Sequence, residues 1–315
     1  MALQDTSGPA SSPPSGEGAA GPDVIVVGAA SRDLTQADPR GWRLGGAVCY
    51  SALQLGRLGL RVGALVGVDA VAAAAPELDL LRAALVDVRL VPLARGPVFA
   101  NRELPAGREQ LALEVSDGLP TSALPPTWSS APGLLLAPVA GELGPEWADA
   151  VAAEVVGLGW QGLLRDLDAG SIVRRRPPAD HPLVRRANLI GVSADDVGRE
   201  VRLSSLVDRI TAGATLVVTR GPEGGTALTS RRPARSSLLA YPAIPADRVA
   251  DPTGAGDVFL ASLLATALDG ERLGALDWPS RLRFAAAAAS LSVERLGLDG
   301  VASLGALRRR AAEVA

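Results

Sequence analysis

The sequence predicts an α/β fold organised around a mostly parallel sheet. Three observations lead there. Short β-branched runs alternate with apolar runs at helical spacing along most of the chain. The first of them, "DVIVVGAA" (23–30), ends in Gly and reads as a buried strand. The chain has 315 residues, 48% of them apolar, which suffices for one large domain with a sizeable core.

In order, "GGAVCYSALQLGRLG" (45–59) reads as a helix, "RVGALVGVD" (61–69) as a strand, "PELDLLRAAL" (76–85) as a Pro-started helix and "VDVRLVPL" (86–93) as a strand. The pattern then changes. "GPVFANRELPAGREQLALEV" (96–115) reads as two strands around "LPAG", a hairpin inserted as a flap. Its Arg102 and Arg108 are expected to be solvated charges. The alternation resumes with a strand at 133–140, a helix near 145–157 and strands at 161–168 and 187–193. A helix near 195–212 and a strand at 214–221 follow. "GGTALTS" and "SSLLAYP" suggest an antiparallel pair, before helices near 254–269, 280–296 and 303–313.

Composition excludes several function classes. Net charge is −3 with no basic stripe, so nothing points to nucleic acid. A single cysteine, Cys49, excludes an internal disulfide and fits a reducing compartment. The one histidine, His181, lies in "PPADHPL" and reads as an exposed loop residue. Every basic side chain is arginine. Without lysine the chain has neither a Walker P-loop nor a Schiff-base nucleophile. Phosphate binding would then rest on backbone N–H groups, arginine and a metal ion. Residues 1–22 are rich in Ser, Pro, Gly and Ala and read as a disordered tail. They lack the charged start and apolar run of a signal peptide, and no apolar stretch reaches spanning length. The expectation is a cytoplasmic enzyme, monomer or homodimer, with its folded domain at 23–315.

The stretch with the most chemistry is "DPTGAGDVFLASLL" (251–264). Helix-starting N–H groups lack internal partners and carry partial positive charge. Gly254, Ala255 and Gly256 leave that end open to an anion, and Asp257 follows at once. An acid there is expected to have a low pKa, to stay ionised, and to take a proton from a hydroxyl attacking phosphorus. The plainer alternative is a helix N-cap, a common place for Asp.

The whole string, Asp251, Thr253, Gly-Ala-Gly-Asp and an apolar helix with Ala261 and Ser262, resembles the C-terminal signature of the ribokinase-like, or PfkB, carbohydrate kinase family. The resemblance implies a three-layer α/β/α sandwich with a small β lid. It also implies ATP as donor with Mg²⁺, Asp257 as catalytic base and Gly254–Gly256 as the anion hole. Carried over residue by residue, it makes Asp33 in "SRDL" and the diglycine Gly45–Gly46 substrate-binding. Thr219, Gly221 and Gly224 in "TRGPEGG" and Thr253 become nucleotide-binding. Asp195 in "NLIGVSADDV" (188–197) becomes a metal-site candidate beside Asp196. The adenine is expected near 285–293.

Two departures bear on the substrate. Family sugar kinases read Gly-Gly-x-x-x-Asn, and here Tyr50 stands at the Asn position, either touching substrate or sitting in the core. The stretch from Asp33 to Gly45 is also short, so the lid is expected to be small, mainly 97–115. These features resemble the myo-inositol kinase-like branch, and Asp166 and Arg174 in "RDLDAGSIVR" match its Asp and Arg. The acceptor would be a small polyol or sugar, with a nucleoside, or a non-catalytic ligand-binding protein on the same fold, as alternatives. An oxidoreductase is disfavoured because "VGAASRDL" lacks Gly-x-Gly-x-x-Gly.

Overall fold

The computed structural model describes residues 21–104, 107–198, 201–230 and 237–313. The expected tail falls almost wholly outside the described residues, as does the side chain of Arg108.

The N-terminal half holds strands β1 (Val24–Ala29), β2 (Ser31–Leu34), β3 (Trp42–Gly45), β4 (Val62–Val68), β5 (Asp87–Pro92), β6 (Val98–Leu104), β7 (Gly107–Glu114), β8 (Gly133–Leu136) and β9 (Val155–Gly159). Helices α1 (Ala47–Arg57) and α2 (Glu77–Ala83) lie among them. Three two-residue strands follow, β10 (Arg165–Asp166), β11 (Ser171–Ile172) and β12 (Arg174–Arg175). Then come α3 (Pro182–Arg186), β13 (Leu189–Ser193), α4 (Ala194–Val197), α5 (Leu203–Val207), β14 (Thr215–Thr219), β15 (Gly225–Thr229) and β16 (Ser237–Tyr241). Helices α6 (Ala255–Leu273), α7 (Trp278–Ser292) and α8 (Leu304–Glu313) close the chain.

Nine strands form the main sheet in the order β16-β15-β14-β13-β9-β8-β1-β4-β5. All pairs from β14 to β5 are parallel, and β15 and β16 add an antiparallel edge. Both faces are covered, so alternate residues of one strand enter different cores. Val24 and Val26 pack with α1, α2, α6, α7 and α8, while Ile25 and Val27 pack with α3 and α5. This is the expected three-layer α/β/α sandwich.

The second layer is thinner than expected. The helix foreseen at 145–157 is a single 3₁₀ turn at Pro145–Ala148, and β9 starts at Val155. Trp147 anchors that turn, wholly buried with Nε1 donating to the Leu119 carbonyl at 2.7 Å. The run Val155–Gly159 fills the sheet position beside β8, which displaces the strand foreseen at 161–168. There the chain makes a 3₁₀ turn, Trp160–Leu163, and then β10. The helix foreseen at 195–212 is divided into α4 and α5, because Gly198, at φ 91°, ends the first.

The hairpin is present as β6 and β7, but the lid is larger than the sequence suggested. A second sheet, in the order β11-β7-β6-β2-β3, includes the short Asp33–Gly45 stretch as two strands. Asp33 pairs with Phe99 of the hairpin in parallel register and faces Arg43 of β3. Two strands of four residues suffice because a two-stranded return needs only a short turn. Arg102 is exposed, as expected of a lid charge. Among the described residues no helix is long and apolar enough to cross a membrane.

Candidate active site

The carboxyl ends of the parallel strands and the start of α6 meet on one side of the sheet. Ligands of open α/β sheets bind there. Gly254 is the N-cap of α6, at φ 78° and ψ −2°, with no side-chain cap. A Cβ on it would lie 2.4 Å from the Tyr50 ring. Tyr50 is 2% exposed, so it is a core aromatic that supports the turn from below and not a wall of the acceptor pocket. Gly256 is the opposite case: a Cβ there would meet nothing within 4 Å, so open space lies over it. The backbone N–H groups of Gly256 and Asp257 have no acceptor among the described residues. Behind them, Asp251 holds the loop, accepting from Thr253 N–H at 2.9 Å and from Gly297 N–H at 3.0 Å. Thr253 thus takes part in holding the turn through its backbone.

Asp257 sits in the first turn of α6 and makes no capping bond, so the N-cap alternative does not describe it. The expected low pKa is overturned. Desolvation is the largest influence and pushes the carboxyl up to about 7; Arg165 opposes it, while Asp196 and Asp33 add to it.

Asp33 accepts from Ser31 Oγ at 2.9 Å. Its carboxylate lies over Gly45, where a Cβ would come within 2.2 Å of Oδ2. Gly46, at φ 94°, passes so close to the Ala29 carbonyl that a Cβ would lie 2.6 Å away. The diglycine therefore seats the acid and the lid strand; it does not bare backbone to a substrate at Gly45.

On the other side, Thr219 ends β14 beside Ser193 of β13. Gly221, at φ 52°, faces open space, whereas Gly224, at φ 82°, is pressed against the Tyr241 carbonyl and closes the turn. Of the adjacent acids, Asp195 is exposed and Asp196 turns inward. Asp196 accepts from Gln161 Nε2 at 3.1 and 3.0 Å and from Ser193 Oγ at 2.8 Å. Asp195 is thus displaced from the site by its neighbour. Asp166 is displaced likewise. Its side chain is 64% exposed and, among the described residues, pairs with Arg176 at 3.9 Å. Alternation along β10 turns Arg165 inward instead, toward Asp196, Asp257 and Asp33. Arg174, the other residue of that match, is exposed. His181 is half-buried and caps α3, its Nδ1 accepting from Leu183 N–H, so it is not a free loop residue.

Two groups escaped sequence reasoning. Arg165 had no motif to mark it. Glu142, 1% exposed, ties the end of β1 to the loop after β8 by accepting from the N–H groups of Ala29, Val139 and Ala140. The surface foreseen for adenine is also not available as drawn. Ala285–Ala288 are buried in the core, and Ser290 donates to the Pro245 carbonyl under Arg310.

The fold is ribokinase-like. A pyrophosphate-dependent kinase in the ribokinase family, solved with a pyrophosphate analog and myo-inositol, superposes with a TM-score of 0.69 at 15% identity, covering 90% of this chain and 99% of that one. Arabidopsis thaliana ribokinase, complexed with ribose and ATP, gives 0.63 at 16% identity, covering 92% and 99%. Burkholderia thailandensis nucleoside kinase, in complex with inosine, gives 0.62 at 20% identity, covering 92% and 98%. No curated protein matches the sequence. Residues 196–302, which include the glycine turn and Asp257, match the family described as pfkB family carbohydrate kinase, in keeping with the resemblance read from the signature.

Proposed function

We propose that the chain is a phosphotransferase that moves a phosphoryl group from a phosphoanhydride donor to a hydroxyl of a small polyol or sugar. The observation that carries this reading is Asp257. It is a desolvated carboxyl, without a hydrogen bond among the described residues, beside two unsatisfied helix N–H groups and open space. Such an acid can accept a hydroxyl proton, and the N–H groups can hold the phosphoryl oxygens. Asp33 would orient the acceptor's other hydroxyls. Thr219 and Gly221 would line the donor side.

ATP is the donor that the family resemblance implies, and the likeness to a pyrophosphate-dependent kinase makes inorganic pyrophosphate the second donor to test. That same protein was solved with myo-inositol, which supports a polyol acceptor. Among the described residues no group of three or more acidic, histidine or cysteine side chains is placed to hold a metal ion. Mg²⁺, which the family resemblance implies, would then be held chiefly by the donor's phosphates with Asp196 nearby, and no step here is routed through it. Phosphate transfer from ATP and from pyrophosphate to a panel of polyols, sugars and nucleosides tests the reading. No transfer to any acceptor from either donor refutes it.

Two further results are expected. Because Asp257 must be ionised to accept a proton, turnover should fall as the pH drops below about 7 and level off above it. A flat profile from pH 5 to 8 would remove Asp257 as the base. Gly256→Val should fold normally, since its side chain enters open space, yet lower turnover by roughly 10-fold or more by crowding the phosphoryl position. Unchanged turnover would place the anion elsewhere.

A further inference from the structure

We propose that Arg165 is a catalytic residue of this transfer, its guanidinium donating to the oxygens of the phosphoryl group as it moves; the proposal rests on the phosphotransferase reading. The backbone here is fixed. β10 pairs with β12, Arg165 opposite Arg175, and Arg176 N–H donates to the Leu164 carbonyl at 2.7 Å. The side chain is only 15% exposed. Its nearest charged atom is Asp196 Oδ1, 3.6 Å from Nη2, beyond hydrogen-bond length. Asp196 does not close that gap, because Gln161 and Ser193 already hold both its oxygens. Among the described residues no hydrogen bond of 3.5 Å or less reaches the guanidinium, and the long contact with Asp196 engages at most one of its five N–H donors. A cation so far removed from water is normally hydrogen-bonded.

The geometry leaves those donors for a ligand rich in acceptors. Asp196 lies 3.6 Å from the guanidinium, Asp257 and Asp33 are near enough to act on its charge, and the first N–H groups of α6 belong to the same turn as Asp257. A neutral hydroxyl needs no cation, whereas a phosphoryl group in flight spreads negative charge over its equatorial oxygens. In the step, the acceptor oxygen bonds to phosphorus and its proton passes to Asp257. The bond from phosphorus to the donor's bridging oxygen breaks, and the donor leaves with that electron pair. No covalent bond to Arg165 is made or broken. The chain has no lysine, so any side-chain cation at the phosphoryl group is an arginine or the one histidine.

The experiment compares wild type, Arg165→Met, Arg165→Lys and Arg165→Ala, using whichever of ATP or pyrophosphate supports transfer. Arg165→Met should lower turnover by roughly 10²–10³-fold with little change in acceptor KM. Its acid limb should also move up in pH, because Asp257 loses the Arg165 charge that opposes its desolvation while Asp196 and Asp33 remain. Arg165→Lys keeps the charge and should retain more activity than Met, and it decides the matter if Met does not fold. Millimolar guanidinium should restore part of the Arg165→Ala activity, a rescue that a purely structural role would not give. Turnover within threefold of wild type in the Met variant, with an unmoved acid limb, overturns the proposal. A wild type inactive with both donors overturns this proposal together with the reading beneath it, and is thereby told apart from failure of Arg165 alone.

Discussion

Asp257→Asn is expected to lower turnover by roughly 10²–10⁴-fold and, at pH 8, to raise the melting temperature. The two effects have one origin. Asn keeps the shape of the side chain and removes the proton acceptor, so the loss should appear in turnover and leave donor and acceptor affinities nearly intact. The gain in stability follows from the raised pKa of about 7 against 3.8 for a free carboxyl. A folded-state pKa above the unfolded one means the native state binds more protons between pH 3.8 and 7. Wild-type stability therefore declines as pH rises through that window and is lowest above it. Full burial would make the decline on the order of 4 kcal/mol, and the acid's residual exposure reduces it to about 2. Asn carries no charge to desolvate, so its advantage should be largest at pH 8 and vanish near pH 4. Parallel melting curves and initial rates from pH 4 to 8 check both. An Asn variant with normal turnover would end the base assignment. One that is less stable at pH 8 would show that the carboxylate is solvated or paired after all.

That acid also shows how far a sequence reaches. The glycine turn before it was legible, because Gly-Ala-Gly opening an apolar helix is a local arrangement that needs no knowledge of distant residues. The pKa of Asp257 was not, because its value depends on desolvation by surrounding elements and on Arg165, Asp196 and Asp33, at least 61 positions away in the chain. Parallel strands such as Val24–Ala29 and Val62–Val68 announced themselves by unbroken apolar runs. The helix expected at 145–157 failed because the sheet needed Val155–Gly159 beside β8, a tertiary demand that overrides helical propensity. Tyr50 illustrates the same limit. Alignment with the family's Asn position suggested substrate contact, but only packing shows its ring beneath Gly254. Asp166 and Asp195, singled out by motif, are exposed, while their neighbours Arg165 and Asp196 turn inward. Along β10 and at the start of α4 the side chains diverge from one position to the next, so a one-residue slip exchanges inside for outside.

Gly254→Ala should be the most damaging single change to the turn, although it adds one methyl group. Two costs add. The left-handed backbone, at φ 78°, penalises any Cβ by about 1–2 kcal/mol. The new methyl would then lie 2.4 Å from a ring carbon of Tyr50, and a buried ring has little room to retreat. Together they should destabilise the protein by about 3 kcal/mol and lower turnover at least 100-fold, since relieving the overlap moves the N–H groups of Gly256 and Asp257 off the phosphoryl position. A double-mutant cycle separates the costs. Tyr50→Ala alone should destabilise by about 3 kcal/mol through the cavity it leaves. In that background Gly254→Ala should cost only the backbone strain, about 1 kcal/mol, because nothing remains to collide with. Denaturant unfolding of the four proteins measures the coupling, and turnover of the folded ones reports the position of the turn. Equal cost of Gly254→Ala in both backgrounds would show that the ring does not set the turn's height. The loss of turnover in Gly254→Ala would then have to come from the left-handed strain alone.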